Sequence, residues 1–251
     1  VLVENASAPP ERTSIETAFK KCAATTSGTW LFLPMERNLG FAGGNNVGIR
    51  RLLERDYISH ICLLNGDVIV TDHWLDRLAE KNVDFISAVT NKADSSQCIP
   101  VDYDLQLEDV LEPNGLTLNQ QARTRIQSFA DWRYQVWQDQ LVDTDVTFFV
   151  ALLTRRALEQ VGPLDERFFP GGFEDNDYCL RAREAGLPIH LARDVFIHHW
   201  GSASFGQLPH EYFRAHAQRN IAYLEAKHGI SLERHPESPW QSYAMDILEG
   251  P

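Results

Sequence analysis

Two adjacent acids, Glu174 and Asp175, stand at the start of a predicted helix within the stretch Phe168 to Phe205, followed by a third acid, Asp177, and a basic face of Arg181 and Arg183. Carboxylates can take a proton from a reacting group, and with other oxygen donors they hold hard cations. Beyond this helix come a short strand, a histidine pair (His198, His199) and a Gly/Ser-rich turn. Neighbours on a strand face opposite sides, so one histidine should point toward a site and the other into packing. A further acid, Asp67, follows the apolar run Ile58 to Leu64 inside Asn65-Gly66-Asp67. Open α/β sheets place ligands at the C-terminal ends of buried strands, which makes Asp67 a candidate ligand for a divalent cation; the plainer alternative is that it caps the turn.

These residues need a platform. Val1 to Val3 reads as a strand ended by the polar turn Glu4 to Ser7, and Ala8-Pro9-Pro10 delays a helix whose apolar spacing covers Ile15 to Cys22. Leu31 to Leu33 is a second strand. The stretch Arg37 to Ile49 carries Gly40, Gly43, Gly44 and Gly48 and opens onto a helix with Ile49, Leu52 and Leu53 on one face. Glycines let a backbone approach a ligand, and a helix N-terminus favours phosphate or ribose oxygens; a tight strand-to-helix turn is the plainer reading. Neither a Walker A loop nor a GxGxxG fingerprint is present.

Further on, Val68 to Val70 precedes a helix capped by Thr71 or Asp72, with Trp74, Leu75 and Leu78 inward. Strands are expected over Val83 to Val89, Val146 to Leu153, Pro188 to Ala192 and Val195 to His198. Helices are expected over Leu118 to Trp137, Arg155 to Val161, Glu174 to Gly186 and Pro209 to His228. In the first of these, Trp132, Tyr134 and Trp137 read as core or lid packing rather than sugar-stacking residues. In the last, Tyr212, Phe213, Ala217, Ile221 and Leu224 share one face. Residues 230–251 form a polar tail.

The chain has 251 residues, 43% of them hydrophobic, enough for one α/β domain with a tail. A formal net charge of −12 excludes non-specific nucleic-acid binding, which needs clustered cations. No apolar run approaches the ~18–20 residues that span a bilayer, and VLVENASAPP lacks the basic and apolar regions of a secretory leader. Four scattered cysteines (Cys22, Cys62, Cys98, Cys179) without a CxxC read as reduced thiols of a cytoplasmic protein.

Taken together, VENAS, RNLGFAGGNNVGI, LLNGDV, FEDNDYCLRAREAG and DVFIHHWGSASF resemble, in order and spacing, the family 2 glycosyltransferases of GT-A fold. The resemblance is greatest to bacterial members that build O-antigen, capsule and other cell-wall polysaccharides, rhamnosyltransferases among them. It runs from Val1 to about Gly229. It implies an α/β GT-A fold, a Rossmann-like mixed sheet flanked by helices, over residues 1–229: a donor half at 1–90, an acceptor half at 91–205 and a closing helix at 209–228. Family members carry a strand and helix before the strand matching Val1 to Val3, so the expectation is a chain that lacks that first unit.

The resemblance implies inverting transfer of a sugar from a UDP- or dTDP-linked donor to a hydroxyl of a glycan or lipid-linked glycan, with Mn²⁺ or Mg²⁺ as cofactor. Glu4 stands where relatives contact the base. Asn38, Gly44 and Asn45 lie in the loop near the nucleoside. Asn65-Gly66-Asp67 resembles DxD, with Asn65 and Asp67 on the donor side and Asp67 on the metal. Asp175 matches the catalytic base, and Glu174 and Trp200 stand on the acceptor side. His199 holds the place of a late metal ligand, with Gly201 and Ser204 completing an HxGxxS pattern. Two departures matter: Asn65 replaces the first DxD acid, and Phe148-Phe149 replaces a small pair, reshaping the acceptor pocket. The implied setting is cytoplasmic, peripheral at the inner face of the plasma membrane.

The chemistry is coherent. A hydroxyl is a poor nucleophile and needs a carboxylate to take its proton. The departing diphosphate gathers charge that a divalent cation stabilises. Glu174 and Asp175 are not a glycosidase pair, since adjacent helix residues diverge. Arg181 reads as a structural partner of the acids. The alternative from another class is a weakly active or non-catalytic nucleotide-sugar-binding module beside other domains of a larger polysaccharide-assembly protein. A nucleotidyltransferase is disfavoured for want of its Gly-rich signature.

Overall fold

The computed structural model describes residues 1–93, 95–103, 105, 119–201 and 210–232, except the side chains of residues 210, 212 and 213. Ser204 and the tail from 233 onward lie outside them.

β1 (Leu2–Glu4) and β2 (Phe32–Pro34) pair in parallel as a small separate sheet. The main sheet is built from β3 (His60–Leu64), β5 (Phe85–Val89), β6 (Leu141–Asp143), β7 (Val150–Thr154) and β8 (His190–Phe196), in the order β3-β7-β5-β8-β6. Only β5 and β8 run parallel, so the sheet is mixed. It takes strands from both sides of residue 90, so the expected donor and acceptor halves share one sheet. A short antiparallel pair, β4 (Val68–Ile69) with β9 (His198–His199), stands apart from it.

Alternation along the central strands separates the core into two layers. Phe85, Val89, Ala151, Leu153 and Leu191 enter one cluster with side chains of α2 (Gly40–Leu53), α4 (Gln120–Trp137), α5 (Arg155–Val161) and α6 (Glu174–Glu184). Ile86, Ala88, Val150, Leu152 and Ala192 enter the second, against Leu78 of α3 (Trp74–Glu80). A third cluster docks α7 (His210–His228) through Ala217, Ile221 and Leu224 onto Phe168 and Phe173, just before the acid helix.

Several expectations are corrected. The first helix, α1 (Pro9–Thr25), begins at Pro9 itself, because a proline at the first helical positions has no N–H to lose. The Gly-rich stretch is not a turn: Gly43, Gly44 and Gly48 lie inside α2. A Cβ on Gly43 would sit 2.9 Å from the Leu39 side chain, and one on Gly44 would sit 3.3 Å from Asn5. The glycines therefore serve close packing. α3 is preceded by His73 in the left-handed conformation with no side-chain cap, not capped by Thr71 or Asp72, and Leu75 is exposed rather than inward. β6 is a strand that the sequence pattern does not signal. Strand Val146 to Leu153 shortens to β7, because Val146, Phe148 and Phe149 pack as buried loop residues before it. In α4, Trp137 packs under Arg193 (3.7 Å) and Tyr134 under Arg77 (3.9 Å), while Trp132 stays half exposed.

Candidate functional site

The register of β4 on β9 pairs Val68 with His199 and Ile69 with His198. The Trp200 N–H donates to the Asp67 carbonyl at 3.0 Å, extending the ladder by one bond. This brings His199 Nε2 to 3.3 Å from Asp67 Oδ1. His199 is held by one ring bond and two backbone bonds. Its Nδ1 lies 2.9 Å from the Lys92 carbonyl, its backbone N–H donates to Asn91 Oδ1 at 2.8 Å, and its carbonyl accepts from Asn91 Nδ2 at 3.1 Å. Phe149 stacks on the ring at 5.2 Å between centroids, and the Phe149 carbonyl accepts from Asn65 N–H at 2.9 Å. Phe149 is thus the floor of this corner, whereas Phe148 packs in the core against Phe85 and Tyr178.

A carbonyl only accepts, so His199 Nδ1 carries a ring proton, and Nε2 is the ring nitrogen turned toward Asp67. That buried Nε2 has no hydrogen-bond partner. It faces Asp67 Oδ1, so a nitrogen and an oxygen donor converge on one place. An imidazole nitrogen beside a carboxylate oxygen, with the far ring nitrogen tied to a carbonyl, fits a divalent cation. Among the described residues no group of three His, Cys, Asp or Glu gathers here, so oxygens of a ligand or water would complete the shell.

His198 faces the other way. It is buried, its Nδ1 lies 3.1 Å from the Tyr103 hydroxyl, and its ring meets Trp200 edge-on at 4.9 Å. Burial, then the neighbouring His199, push its pKa down to about 4. It is a neutral packing group through the physiological range.

The second group of residues surrounds β1 and α2. Asn38 Oδ1 accepts from Asn5 Nδ2 at 3.1 Å and from Gly40 N–H at 2.8 Å, while Asn5 Oδ1 accepts from Leu39 N–H at 2.8 Å. Asn45 Nδ2 donates to the Phe41 carbonyl of its own helix at 3.0 Å. Glu4 is a departure from the sequence reading. Its carboxylate is buried and accepts from Ser7 N–H and Arg12 Nε, each at 2.6 Å. Burial alone would raise this carboxyl, but those bonds outweigh it and hold the pKa below its ordinary value. Glu4 anchors α1 to β1 rather than presenting a free oxygen to a ligand.

The acid helix is set by a loop that the sequence left unexplained. Gly172 (φ +92°) and Phe173 (φ +75°) both adopt left-handed backbone immediately before Glu174. Asn220 of α7, 1% exposed, turns its amide onto this loop, donating from Nδ2 to the carbonyls of Phe168, Gly171 and Gly172 at 3.0–3.1 Å. Arg219 bonds the Phe169 carbonyl beside it. The Phe41 N–H donates to the Pro170 carbonyl at 2.8 Å, joining the start of α2 to the same loop. Asp177, fully buried, accepts from Arg181 Nε (2.9 Å), Lys227 Nζ (2.5 Å) and His228 Nε2 (2.8 Å), so the third acid ties α6 to α7. Arg181 also donates to the Val161 and Pro163 carbonyls, the structural role expected of it.

Glu174 is 6% exposed and its Oε2 has no hydrogen-bond partner. Burial, then the adjacent Asp175, push its pKa well above the usual carboxylate range. Asp175 is half-buried and accepts from the Asn176 N–H through Oδ1 at 2.9 Å. Two neighbouring carboxyls therefore differ in kind: a buried acid and a more accessible one able to take a proton.

No family model and no curated protein sequence matches the chain. A solved structure does: that of GalNAc-T7 with UDP, GalNAc and Mn²⁺, at a TM-score of 0.51 and 10% identity. The match covers 79% of this chain and 37% of that one, so this chain aligns with little more than a third of its neighbour's length. The fold is GT-A-like. The mixed sheet flanked by helices expected from the sequence is borne out.

Proposed function

We propose that this chain transfers a sugar from a nucleotide-sugar to a hydroxyl acceptor, with inversion, using a divalent cation at Asp67 and His199. The observation that carries this reading is the buried, unpartnered His199 Nε2 aimed at Asp67 Oδ1 at 3.3 Å, in a fold shared with a glycosyltransferase solved with UDP and Mn²⁺. When bound, the cation supplies Lewis-acid stabilisation of the leaving diphosphate. Asp67 and His199 hold it, Lys92 and Asn91 orient His199, and Phe149 floors the corner. Asp175 takes the proton from the acceptor hydroxyl as its oxygen bonds to the anomeric carbon and the carbon–diphosphate bond breaks. One base and one displacement invert the anomeric centre. Glu174 and Trp200 face the acceptor, and Asn38 to Asn45 with Asn65 line the donor side. Mn²⁺ and Mg²⁺ both suit the pair, and UDP- and dTDP-sugars are the donor classes.

By motif resemblance the acceptor is a glycan or lipid-linked glycan of bacterial surface polysaccharide synthesis, met at the inner face of the membrane by a cytoplasmic, peripheral enzyme. Among the described residues no helix is long and apolar enough to cross a membrane. The alternative, a binding module of a larger assembly protein, shares the donor site and lacks the transfer step.

Titration of UDP and dTDP with and without Mn²⁺ tests the donor site, and Mn²⁺-dependent binding of one of them is expected. The Asp175→Asn variant tests the step. It should keep that binding and lose transfer by about 10²–10⁴-fold, the worth of a positioned base. Unchanged transfer would remove Asp175 from the mechanism, and no transfer by the parent with intact binding would favour the module.

A further inference from the structure

Lys92 holds His199 Nδ1 at 2.9 Å through its backbone carbonyl. Its side chain runs over the next turn of the same corner. Its Cγ, Cδ and Cε lie 3.0–3.2 Å from where a Cβ on Gly201 would stand, and its Nζ is 3.4 Å from the Gly201 carbonyl. Gly201 (φ +63°) is thus required twice over, by its backbone and by the lysine stem across it. The ammonium is exposed, and among the described residues it forms no salt bridge, unlike Lys81 and Lys227.

The segment bearing it is firmly held. The Thr90 N–H donates to the Gln97 carbonyl at 2.9 Å and the Ile99 N–H to the Thr90 carbonyl at 2.8 Å, while buried Gln97 Nε2 donates to Ser87 Oγ at 2.7 Å. Asn91 grips both backbone groups of His199. Lys92 therefore emerges from a fixed base beside the Asp67–His199 pair, with a flexible, uncommitted cation at its tip. Charge gives that cation a purpose. A nucleoside diphosphate gains negative charge as it leaves a sugar, and Asp67 adds its own, more than one divalent cation neutralises.

We propose that Lys92 is a donor-binding and leaving-group residue, its Nζ swinging from the Gly201 carbonyl onto a phosphate oxygen of the nucleoside diphosphate. The inference rests on the reading of Asp67 and His199 as the nucleotide site and adds a residue that neither motif nor fold comparison assigns. A lysine suits the task as a mobile point charge on a long stem, able to follow the diphosphate as it departs.

The test is calorimetric titration of the full chain and its Lys92→Met and Lys92→Arg variants with UDP, dTDP and uridine in the presence of Mn²⁺, with thermal melting of each. Met keeps the stem over Gly201 and removes the charge. The expected result is that Lys92→Met weakens diphosphate binding about tenfold, the worth of a charge-assisted hydrogen bond, and that Lys92→Arg recovers most of it. Uridine binding and the melting temperature should not move. Unaltered diphosphate affinity in Lys92→Met overturns the proposal, and so does an equal loss for uridine, which would place the lysine in the fold. A parent chain that binds neither diphosphate with Mn²⁺ overturns the nucleotide site itself, and the role of Lys92 with it.

Discussion

Replacing Asn220 by alanine tests whether α7 sets the acid helix. The Asn220 amide is buried, and its Nδ2 reaches three loop carbonyls at 3.0–3.1 Å with only two protons to share. Alanine removes two hydrogen bonds, each worth about 1 kcal/mol net, and leaves carbonyls poorly satisfied in a dry place, for a loss of about 2–4 kcal/mol. In a chain of this size each kcal/mol lowers the melting temperature by about 2–4 °C, so a fall of roughly 5–15 °C is expected. The effect should also be local. Gly172 and Phe173 hold left-handed backbone next to Glu174 and Asp175, and Phe173 is not a glycine, so the loop stays in place only while its surroundings constrain it. Hydrogen exchange at the amides of residues 171–177 should accelerate more than in the main sheet. Arg219→Ala, which cuts an exposed contact to the Phe169 carbonyl, should cost far less. A melting temperature within about 2 °C of the parent, with unchanged exchange in the loop, would refute the clamp.

Three other outcomes are expected. Because folding raises the Glu174 pKa above its ordinary 4.5, its contribution to stability is whole below that value and is lost as pH rises through the folded-state pKa. Glu174→Gln should therefore melt with the parent near pH 4 and above it at neutral and alkaline pH; a constant offset across that range would contradict the buried-acid assignment. Asn91→Ala frees both backbone groups of His199 and should weaken Mn²⁺ binding, read by electron paramagnetic resonance, about tenfold or more, as loss of an outer partner does at metal sites. His199→Ala should abolish that signal, whereas His198→Phe should leave it and lower only stability, since His198 packs on Tyr103 and Trp200.

What the sequence made legible follows from which signals are local. Apolar runs located β3 and β5, the latter buried on both faces, and helical spacing located α4 and α7. Asp67 and His199 could be picked out because acids and histidines at strand ends are few, and the structure brings them face to face. The glycines of α2 misled because small residues signal either a ligand or a close neighbour, and here the neighbours are Leu39 and Asn5. Glu4 misled similarly: nothing in VENAS foretells that Arg12, in the first turn of a helix expected to start later, would occupy its carboxylate. Asn91, Lys92 and Asn220 lie 108, 107 and 48 or more residues from the groups they hold, and no spacing rule reaches that far.

The choice between His198 and His199 shows how long-range contacts decide chemistry. β4 and β9 share only two residue pairs, too short a ladder to set its own register, and a slip of one residue would turn His198 toward Asp67 and His199 into the core. Residues from one segment oppose that slip on both faces of β9. Asn91 holds the N–H and carbonyl of His199, so the strand cannot slide without breaking both bonds. Tyr103 holds His198 Nδ1 on the opposite face, where burial favours the neutral ring. Phe149 stacks on the His199 ring, an aromatic floor that suits an imidazole better than a small residue would. The corner at Asp67 and His199 is thus specified by Asn91, Tyr103 and Phe149 rather than by the histidine pair itself. The Phe149 departure from the family pattern is accounted for as part of that corner.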